Sequence, residues 1–163
     1  MKTAYFAAGC FWCITPMFYQ LVGVRRVTSG YSGGMEEAPT YEDVKYQRTG
    51  HRETIAVTYN EASLSYDQLL DVFLANVDPF DEGGQFIDRG HSYTLAVYYQ
   101  TEREKEAAGN AVKALEAASG KKVHVAIEPF QTFYAAEEYH QDYYRKNPEA
   151  FRKELVESGR VKL

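Results

Sequence analysis

The order in which strand-like and helix-like segments follow one another constrains the fold of this chain most strongly. Four apolar segments read as strands, and the third alternates apolar and polar residues; they are "TAYFAA", "VRRVTSGYS", "ETIAVTYN" and "SYTLAVYYQ". A helix from residue 12 or 13 to Leu21, with Pro16 in its first turn, is predicted after the first strand. A second helix, capped by Ser65, is predicted before the fourth strand. The order β-α-β-β-α-β is that of a ferredoxin-like, split βαβ unit.

The rest of the chain predicts a C-terminal α-β-α extension. Thr101 caps a helical run that Gly120 ends, "KVHVAIEP" reads as a short strand, and "AAEEYHQDYYRK" reads as a final helix that stops before Pro148. The predicted fold class is therefore α+β, a two-layer α/β sandwich with a ferredoxin-like core. Because the 163 residues contain no repeat or linker, we expect a single domain over residues 1–163.

This topology predicts which residues meet at one end of the sheet. The first strand lies between the third and the fourth and runs antiparallel to both. Its end, at Cys10, therefore comes close to the beginnings of the other two strands, at Glu53 and Tyr93. Both of these residues have the side-chain parity of the apolar face of their strands. Two long loops, residues 31–52 and 77–92, are expected at the same end, and long loops in a compact domain are often functional.

Both cysteines of the chain lie in "AAGCFWC", where the first strand gives way to a helix. Helix N-terminal amides and C-x-x-C spacing both favour a thiolate, so we expect an exposed Cys10 with a lowered pKa as the attacking thiol. Cys13, one turn further on, can then form a disulfide with it. Two other interpretations remain open here, two small buried residues or a zinc site. Zinc needs two further ligands, and the four histidines lack ligand spacing; they are His51, His91, His124 and His140.

The residues predicted around these thiols suit a methyl sulfoxide. A carboxyl at the mouth of an apolar layer has its pKa raised by desolvation, so Glu53 can serve as an acid. Tyr41 and Tyr93 offer phenolic hydrogen-bond donors. Phe11 and Trp12 can enclose a methyl group. Each of these residues also has an ordinary interpretation, as a core aromatic or a solvated strand-end carboxylate.

Charge and hydropathy exclude several classes of function. A net charge of −5 without a basic stripe argues against nucleic acid and anionic membrane as partners. No apolar run approaches the ~20 residues of a membrane span, and the N-terminus lacks a signal-peptide core. Two cysteines do not make a disulfide framework. We therefore expect a cytoplasmic protein with no membrane partner.

Five further motifs accompany the cysteines and resemble the A-type peptide methionine sulfoxide reductases, in the subgroup with "GCFWC". They are "SGYSGG", "PTYEDV", "TGHRE", "GQFIDRG" and "EYHQDYYRKNP", and the match spans residues 4–148. The resemblance implies an enzyme that reduces the S-epimer of methionine sulfoxide, free or in proteins, with thioredoxin or another dithiol as external reductant and no bound cofactor or metal. One enzyme class serves each epimer. We expect a monomer.

The resemblance also assigns roles residue by residue. Cys10 corresponds to the nucleophile that becomes a sulfenic acid, and Glu53 to the proton donor. The substrate pocket corresponds to six residues: Phe11, Trp12, Tyr41, Asp88, Tyr93 and Tyr134, the last a C-terminal aromatic near the site.

Some positions depart from the family pattern. Many members have Gly where Cys13 stands and resolve the sulfenic acid with cysteines in a C-terminal tail, but the tail here, "VESGRVKL", has none. Cys13 is then the only intramolecular candidate for resolution. Asn-Asp is commoner than "ID" in the "FIDRG" motif, and Arg is commoner than Thr94, so the substrate pocket can differ.

Two rival functions remain. A glutaredoxin-like dithiol-disulfide oxidoreductase would present a proline after a β-branched residue opposite the thiols, but the one such pair, Thr15-Pro16, lies in the first predicted helix. A non-catalytic peptide-binding or zinc module is the second rival.

Overall fold

Six strands form the central sheet, in the order β7-β6-β1-β3-β2-β8. The structure is a computed structural model and describes residues 1–157. The strands of this sheet are β1 (Lys2–Ala8), β2 (Val24–Ser32), β3 (Arg52–Tyr59), β6 (Leu95–Tyr99), β7 (Val125–Pro129) and β8 (Phe133–Ala135). A separate two-stranded hairpin consists of β4 (Gly84–Gln85) and β5 (Asp88–Arg89).

The middle of the sheet has the predicted ferredoxin-like order. β1 pairs antiparallel with β3, where Phe6 faces Ile55, and with β6, where Phe6 faces Val97. β2 lies outside β3, so the four strands of the predicted unit are arranged β6-β1-β3-β2. β7 adds to β6 in parallel, and β8 adds to β2 antiparallel. The predicted α+β class and the split βαβ core are confirmed.

Two helices cover one face of this sheet and form the main core with it. The ring of Phe6 on β1 stacks on Phe18 at 5.7 Å and on Phe73 at 5.2 Å, and all three side chains are fully buried. The first of these partners belongs to α1 and the second to α3. The α-helices within residues 1–157 are α1 (Phe11–Tyr19), α2 (Tyr41–Lys45), α3 (Tyr66–Ala75), α4 (Glu102–Ser119), α5 (Tyr143–Lys146) and α6 (Pro148–Glu157).

Two predicted boundaries near the thiols were wrong. α1 begins at Phe11, so Pro16 lies in the second turn, where its missing N–H leaves one helical carbonyl without its usual donor. β6 begins only at Leu95, and Tyr93 closes a short 3-10 turn from His91. Tyr93 therefore reaches the end of the sheet from this turn and not from the strand.

The predicted final helix was also wrong. Glu138–His140 is a 3-10 turn, and Asp142 then adopts a left-handed backbone with φ of 51°, which an α-helix cannot contain. A short α5 follows. Pro148 does not stop a helix but begins α6, because proline has the backbone angle of the first helical position and needs no N–H bond there.

Three short elements escaped prediction. α2 lies in the loop 31–52, the β4–β5 hairpin lies in the loop 77–92, and β8 lies before the 3-10 turn at Glu138. Residues 158–163, which end the cysteine-free tail, lie outside the described residues. No helix within residues 1–157 combines the length and the apolar character that crossing a bilayer requires.

Candidate active site

Cys10 lies where β1 ends and α1 begins. Gly9 has a φ of 81°, a conformation that glycine adopts without strain, and it turns the chain out of the sheet. Cys10 is the N-cap residue of α1, and Cys13 is in the first turn of this helix. Both cysteines are in the reduced thiol form and are buried, with 6% of Cys10 and 2% of Cys13 exposed.

The expectation of an exposed Cys10 with a lowered pKa is wrong for this structure. The hydrogen bond with Cys13 and burial raise the pKa of the Cys10 thiol well above its usual value, and the charges of Cys13, Glu53 and Asp88 act in the same direction. The Cys10 side chain makes no capping hydrogen bond to the helix. Cys10 is therefore a neutral, buried thiol at pH 7.

Glu53 accepts the hydrogen bond from a helix N-terminal amide that was expected to stabilise a Cys10 thiolate. Its Oε1 accepts a hydrogen bond from the backbone N–H of Phe11, at 3.2 Å. Burial raises the pKa of Glu53 to about 8, even though the Phe11 amide opposes this shift. The side chain is 1% exposed and points into the apolar layer, as its strand parity predicted. Glu53 is therefore a neutral carboxylic acid at pH 7, which is the form that can donate a proton.

Two phenols complete a hydrogen-bonded group with this acid. The Tyr93 hydroxyl is hydrogen-bonded to both Glu53 and Tyr41. Burial raises the pKa of each tyrosine, and the nearby charge of Glu53 adds to this effect. Tyr41 is the first residue of α2, and its position is fixed by the capping box of Thr40 and Asp43. Both phenols therefore stay protonated and can donate hydrogen bonds.

Asp88 and the C-terminal helix bring further acidic groups to the thiol. A carboxylate oxygen of Asp88, one of Glu154 in α6 and the Sγ of Cys10 all lie within 4.8 Å of one another. Asp88 comes from the β4–β5 hairpin, so the loop 77–92 reaches the site as predicted. Within residues 1–157, this is the group whose spacing suits a metal ion. Nothing besides that spacing indicates a cation.

Phe11 and Trp12 stand beside the thiols as an aromatic wall. Phe11 is buried, whereas Trp12 is partly exposed. The ring of Tyr41 lies 6.4 Å from that of Phe11 and 6.2 Å from that of Trp12. Tyr143 stacks on the indole of Trp12 at 4.1 Å, with 13° between the planes. The arrangement offers an apolar surface next to the phenolic donors.

Sequence reasoning missed His140 and Tyr143. The Trp12 Nε1–H donates a hydrogen bond to the Nδ1 of His140, at 2.9 Å. The motif "EYHQDYY" contains both missed residues, but the sequence suggested for His140 only a possible metal ligand. A lone histidine among tyrosines shows no spacing that would reveal its partner.

Tyr134, the predicted C-terminal aromatic of the substrate pocket, lies on β8. It pairs with Tyr31 in the register of β8 with β2, and its ring meets His51 edge-on at 5.8 Å. The C-terminal aromatic that contacts Trp12 is Tyr143.

A cavity of about 200 Å³ lies beside Cys13. Its walls come from α1, from the end of α3, from the hairpin loop and from α6; the lining residues are Cys13, Ile14, Met17, Ala75, Asn76, Val77, Phe86 and Leu155. α6 thus borders both thiols, through Glu154 near Cys10 and Leu155 near Cys13.

Comparison with known proteins decides the family. The model of the family described as peptide methionine sulfoxide reductase matches residues 2–163. The chain belongs to this family. Among curated relatives of the reductase, the peptide methionine sulfoxide reductase MsrA of Bacillus velezensis is 43% identical over 161 residues, which are 98% of this chain and 91% of the relative.

Solved structures agree with the fold of the reductase. Reduced Mxr1 from Saccharomyces cerevisiae superimposes with a TM-score of 0.85 and 29% identity, covering 91% of this chain and 86% of Mxr1. Mxr1 in complex with Trx2 superimposes with a TM-score of 0.59 and 21% identity, over 87% and 84% of the two chains, and shows the fold alone.

The A-type resemblance is confirmed, and the chain is an enzyme that reduces methionine sulfoxide. The "GCFWC" subgroup and the roles of the single residues stay predictions. The glutaredoxin-like and non-catalytic alternatives are not favoured.

Proposed function

We propose that the Cys10 sulfur attacks the sulfur of the S-epimer of methionine sulfoxide, free or in a protein, while Glu53 protonates its oxygen. The S–O bond of the substrate breaks and the oxygen ends on Cys10. The substrate sulfur is reduced by two electrons to a thioether, and the Cys10 thiol is oxidised by two electrons to a sulfenic acid. The thiol loses one proton, which replaces the one that Glu53 supplies.

The observation that carries this proposal is the neutral, buried Glu53. A carboxyl with a pKa near 8 is protonated at pH 7 and donates at the moment the S–O bond breaks. Tyr93 and Tyr41 belong to the same hydrogen-bonded group and supply donors to the oxygen as charge develops on it.

The aromatic wall receives the methyl group of the substrate. Phe11 and Trp12 lie next to the phenols, so the apolar methyl group of the sulfoxide can lie against their rings while the sulfoxide oxygen faces the phenolic donors. Asp88 lies close enough to Cys10 to bind the substrate or water. For Tyr134 we keep the substrate-binding role as a proposal. Tyr143, which stacks on Trp12, is the second aromatic candidate for this role.

Cys13 resolves the sulfenic acid. Its thiol is hydrogen-bonded to Cys10, so it is positioned to attack. This step forms the Cys10–Cys13 disulfide and releases water. An external dithiol of the thioredoxin class then reduces the Cys10–Cys13 disulfide by thiol–disulfide exchange and is itself oxidised to a disulfide. Cys10 and Cys13 return to the thiol form.

Epimer choice and resolution are tested together. Purified enzyme is given a peptide with one methionine sulfoxide as separated epimers, plus dithiol. We expect only the S-epimer to disappear. With Cys13→Ser we expect one turnover that leaves a trappable Cys10 sulfenic acid, followed by slow turnover with dithiol. Reduction of both epimers, or unchanged dithiol-driven turnover by Cys13→Ser, would contradict the respective proposal.

We further propose that residues 1–163 form one catalytic domain that works as a cytoplasmic monomer without a bound cofactor. The chemistry supports this proposal, because thiol catalysis with a thioredoxin-class reductant needs a reducing compartment. Light scattering after gel filtration, cell fractionation, metal analysis and one cooperative unfolding transition check its four parts.

A further inference from the structure

His140 is a buried histidine that the proposed chemistry does not use. It is 1% exposed, and burial lowers its pKa to about 4, so its ring is neutral at pH 7. Its Nδ1 accepts the hydrogen bond of Trp12 Nε1–H at 2.9 Å, and a nitrogen that accepts carries no proton. The proton of the neutral ring is therefore on Nε2.

The proton on Nε2 makes His140 unfavourable as a residue that only fills space in the core. Nε2 is buried and has no hydrogen-bond partner within residues 1–157. A buried polar group without a partner costs about 1–3 kcal/mol. An apolar ring at this place would fill the same space without this cost. The one side-chain hydrogen bond that the His140 ring makes within residues 1–157 is the acceptor contact with Trp12.

The surroundings hold His140 in place on both sides. Its ring lies 5.3 Å from Phe11 and 4.2 Å from Tyr41, so it touches the same aromatic wall that Trp12 belongs to. The next residue, Gln141, clamps the backbone to β2, because its amide both donates to the Ser29 carbonyl and accepts from the Ser29 N–H, at 2.9 Å each. His140 thus has a fixed position from which to orient a neighbour.

We propose that His140 is a positioning residue, whose Nδ1 holds the indole of Trp12 in the orientation that forms the methyl pocket. The inference rests on the proposed function, in which Trp12 contacts the substrate. In this role His140 acts on the substrate through Trp12 alone. An indole that can rotate gives a less preorganised pocket, so substrate binding weakens while the chemical step at Cys10 stays the same.

A matched pair of substitutions separates the acceptor from the ring. His140→Leu removes the acceptor and keeps an apolar side chain, whereas His140→Asn keeps an oxygen where Nδ1 was. We expect His140→Leu to raise KM about five- to tenfold with kcat changed by less than about twofold, which is the effect of one lost hydrogen bond on binding. We expect His140→Asn to restore most of the wild-type KM.

Trp12 supplies a second readout, because it is the only tryptophan of the chain. Its fluorescence and near-ultraviolet circular dichroism should change in His140→Leu and return towards wild type in His140→Asn. This signal needs no turnover. If the wild-type enzyme reduced no sulfoxide, the proposed function would fail, whereas the spectra would still test the contact.

A double-mutant cycle tests the route of the effect. In a Trp12→Phe background, His140→Leu should raise KM by less than about twofold more, because the donor is already gone. Additive effects of the two substitutions, or a His140→Leu enzyme with wild-type KM and spectra, would overturn the proposal. If His140→Leu does not fold, His140→Gln replaces it, because the Gln oxygen falls near Nε2 and leaves the indole without its acceptor. A His140→Gln enzyme with wild-type KM and spectra would then overturn the proposal in the same way.

Discussion

At the scale of single residues, the site is organised by competition for one backbone amide. The N–H of Phe11 could stabilise a Cys10 thiolate, but it is bonded to Glu53. Cys10 is instead surrounded by groups that disfavour its negative charge, namely Cys13, Glu53 and Asp88. The Cys10 thiol and the Glu53 carboxyl are thus both protonated at pH 7. In the proposed mechanism, proton transfer is then coupled to the arrival of the substrate oxygen.

Glu53→Gln is expected to separate these two effects. Without an acid, we expect the rate of sulfoxide reduction to fall by about 10²–10³-fold, since one group that stabilises the developing oxyanion is lost. Above about pH 8, where Cys10 titrates, Glu53 is ionised, so the same substitution removes a negative charge near Cys10 and the pKa of the Cys10 thiol should fall. The pH dependence of Cys10 alkylation by iodoacetamide, measured by mass spectrometry in a Cys13→Ser background, reports this pKa. Asp88→Asn should shift it in the same direction, and an unchanged or raised pKa in Glu53→Gln would contradict the account.

At the scale of elements, short pieces deliver the side chains that the sheet alone does not place. α2 presents Tyr41, the 3-10 turn before β6 presents Tyr93, and the β4–β5 hairpin presents Asp88. Sequence patterns predicted the long strands and α3 because periodicity over eight or more residues is informative. The short elements were not predicted because a few residues are too short a window to show a periodic pattern. Capping and turn geometry determine where these elements form.

Thr40→Ala is expected to show what α2 contributes. The Thr40 side chain accepts the N–H of Asp43 at 3.2 Å, and losing such a cap costs about 1 kcal/mol. Since Tyr41 follows directly, we also expect a higher KM for methionine sulfoxide. Thr101→Ala is the matched control, because Thr101 caps α4 in the same way, with Glu104 N–H at 3.1 Å, but presents no site residue. Urea unfolding measures the loss of stability in both variants, and steady-state kinetics measure their KM. A KM that is raised in Thr101→Ala but not in Thr40→Ala would contradict the expected contribution of α2.

α6 is expected to control access to the thiols. Leu155 lines the cavity next to Cys13, and Glu154 lies near Cys10. Leu155→Asp puts a charge into this apolar wall and should detach the helix, so we expect alkylation of the two cysteines to become about tenfold faster through local opening.

Lys153→Asp is the control for this variant, since it introduces the same side chain at an exposed position of α6. Its alkylation rate should match that of wild type. Equal rates in Leu155→Asp and wild type would show that α6 does not limit access.

At the scale of the whole molecule, the sequence was sufficient for the four middle strands of the central sheet, β6-β1-β3-β2, but not for its edge strand β8 or for the electrostatics. The order of strands around β1 follows from the succession of patterns, and it correctly brought Cys10 and Glu53 together. The pKa of the Cys10 thiol is raised and not lowered because the hydrogen bond with Cys13 and burial dominate. The burial of Cys10 depends on distant parts of the chain, which no local pattern reveals. His140 escaped for the same reason, since its partner lies 128 residues away along the chain.

The buried acid also makes global stability depend on pH. The pKa of Glu53 is about 8 in the folded protein against an ordinary value of 4.5, so the folded state holds this proton more tightly. Its stabilising contribution is complete below about pH 4.5 and is lost as the pH rises to about 8, with a slope of up to ~1.4 kcal/mol per pH unit.

Urea unfolding of the reduced protein between pH 5 and pH 8 measures this contribution. The free energy of unfolding of wild type minus that of Glu53→Gln should fall across this range and level off above it. Glu106→Gln, at an exposed position of α4, serves as the control. A difference that rises with pH would refute the assignment.

The hydrogen bond between Trp12 and His140 joins two segments that lie 128 residues apart in the chain. Bringing such distant segments together is the slow, entropically expensive part of folding. We therefore expect the proposed methyl pocket to form late in folding, after the intervening strands have paired. A growing or half-folded polypeptide would carry both thiols but lack this pocket, so in the proposed mechanism sulfoxide reduction is expected of the folded chain alone.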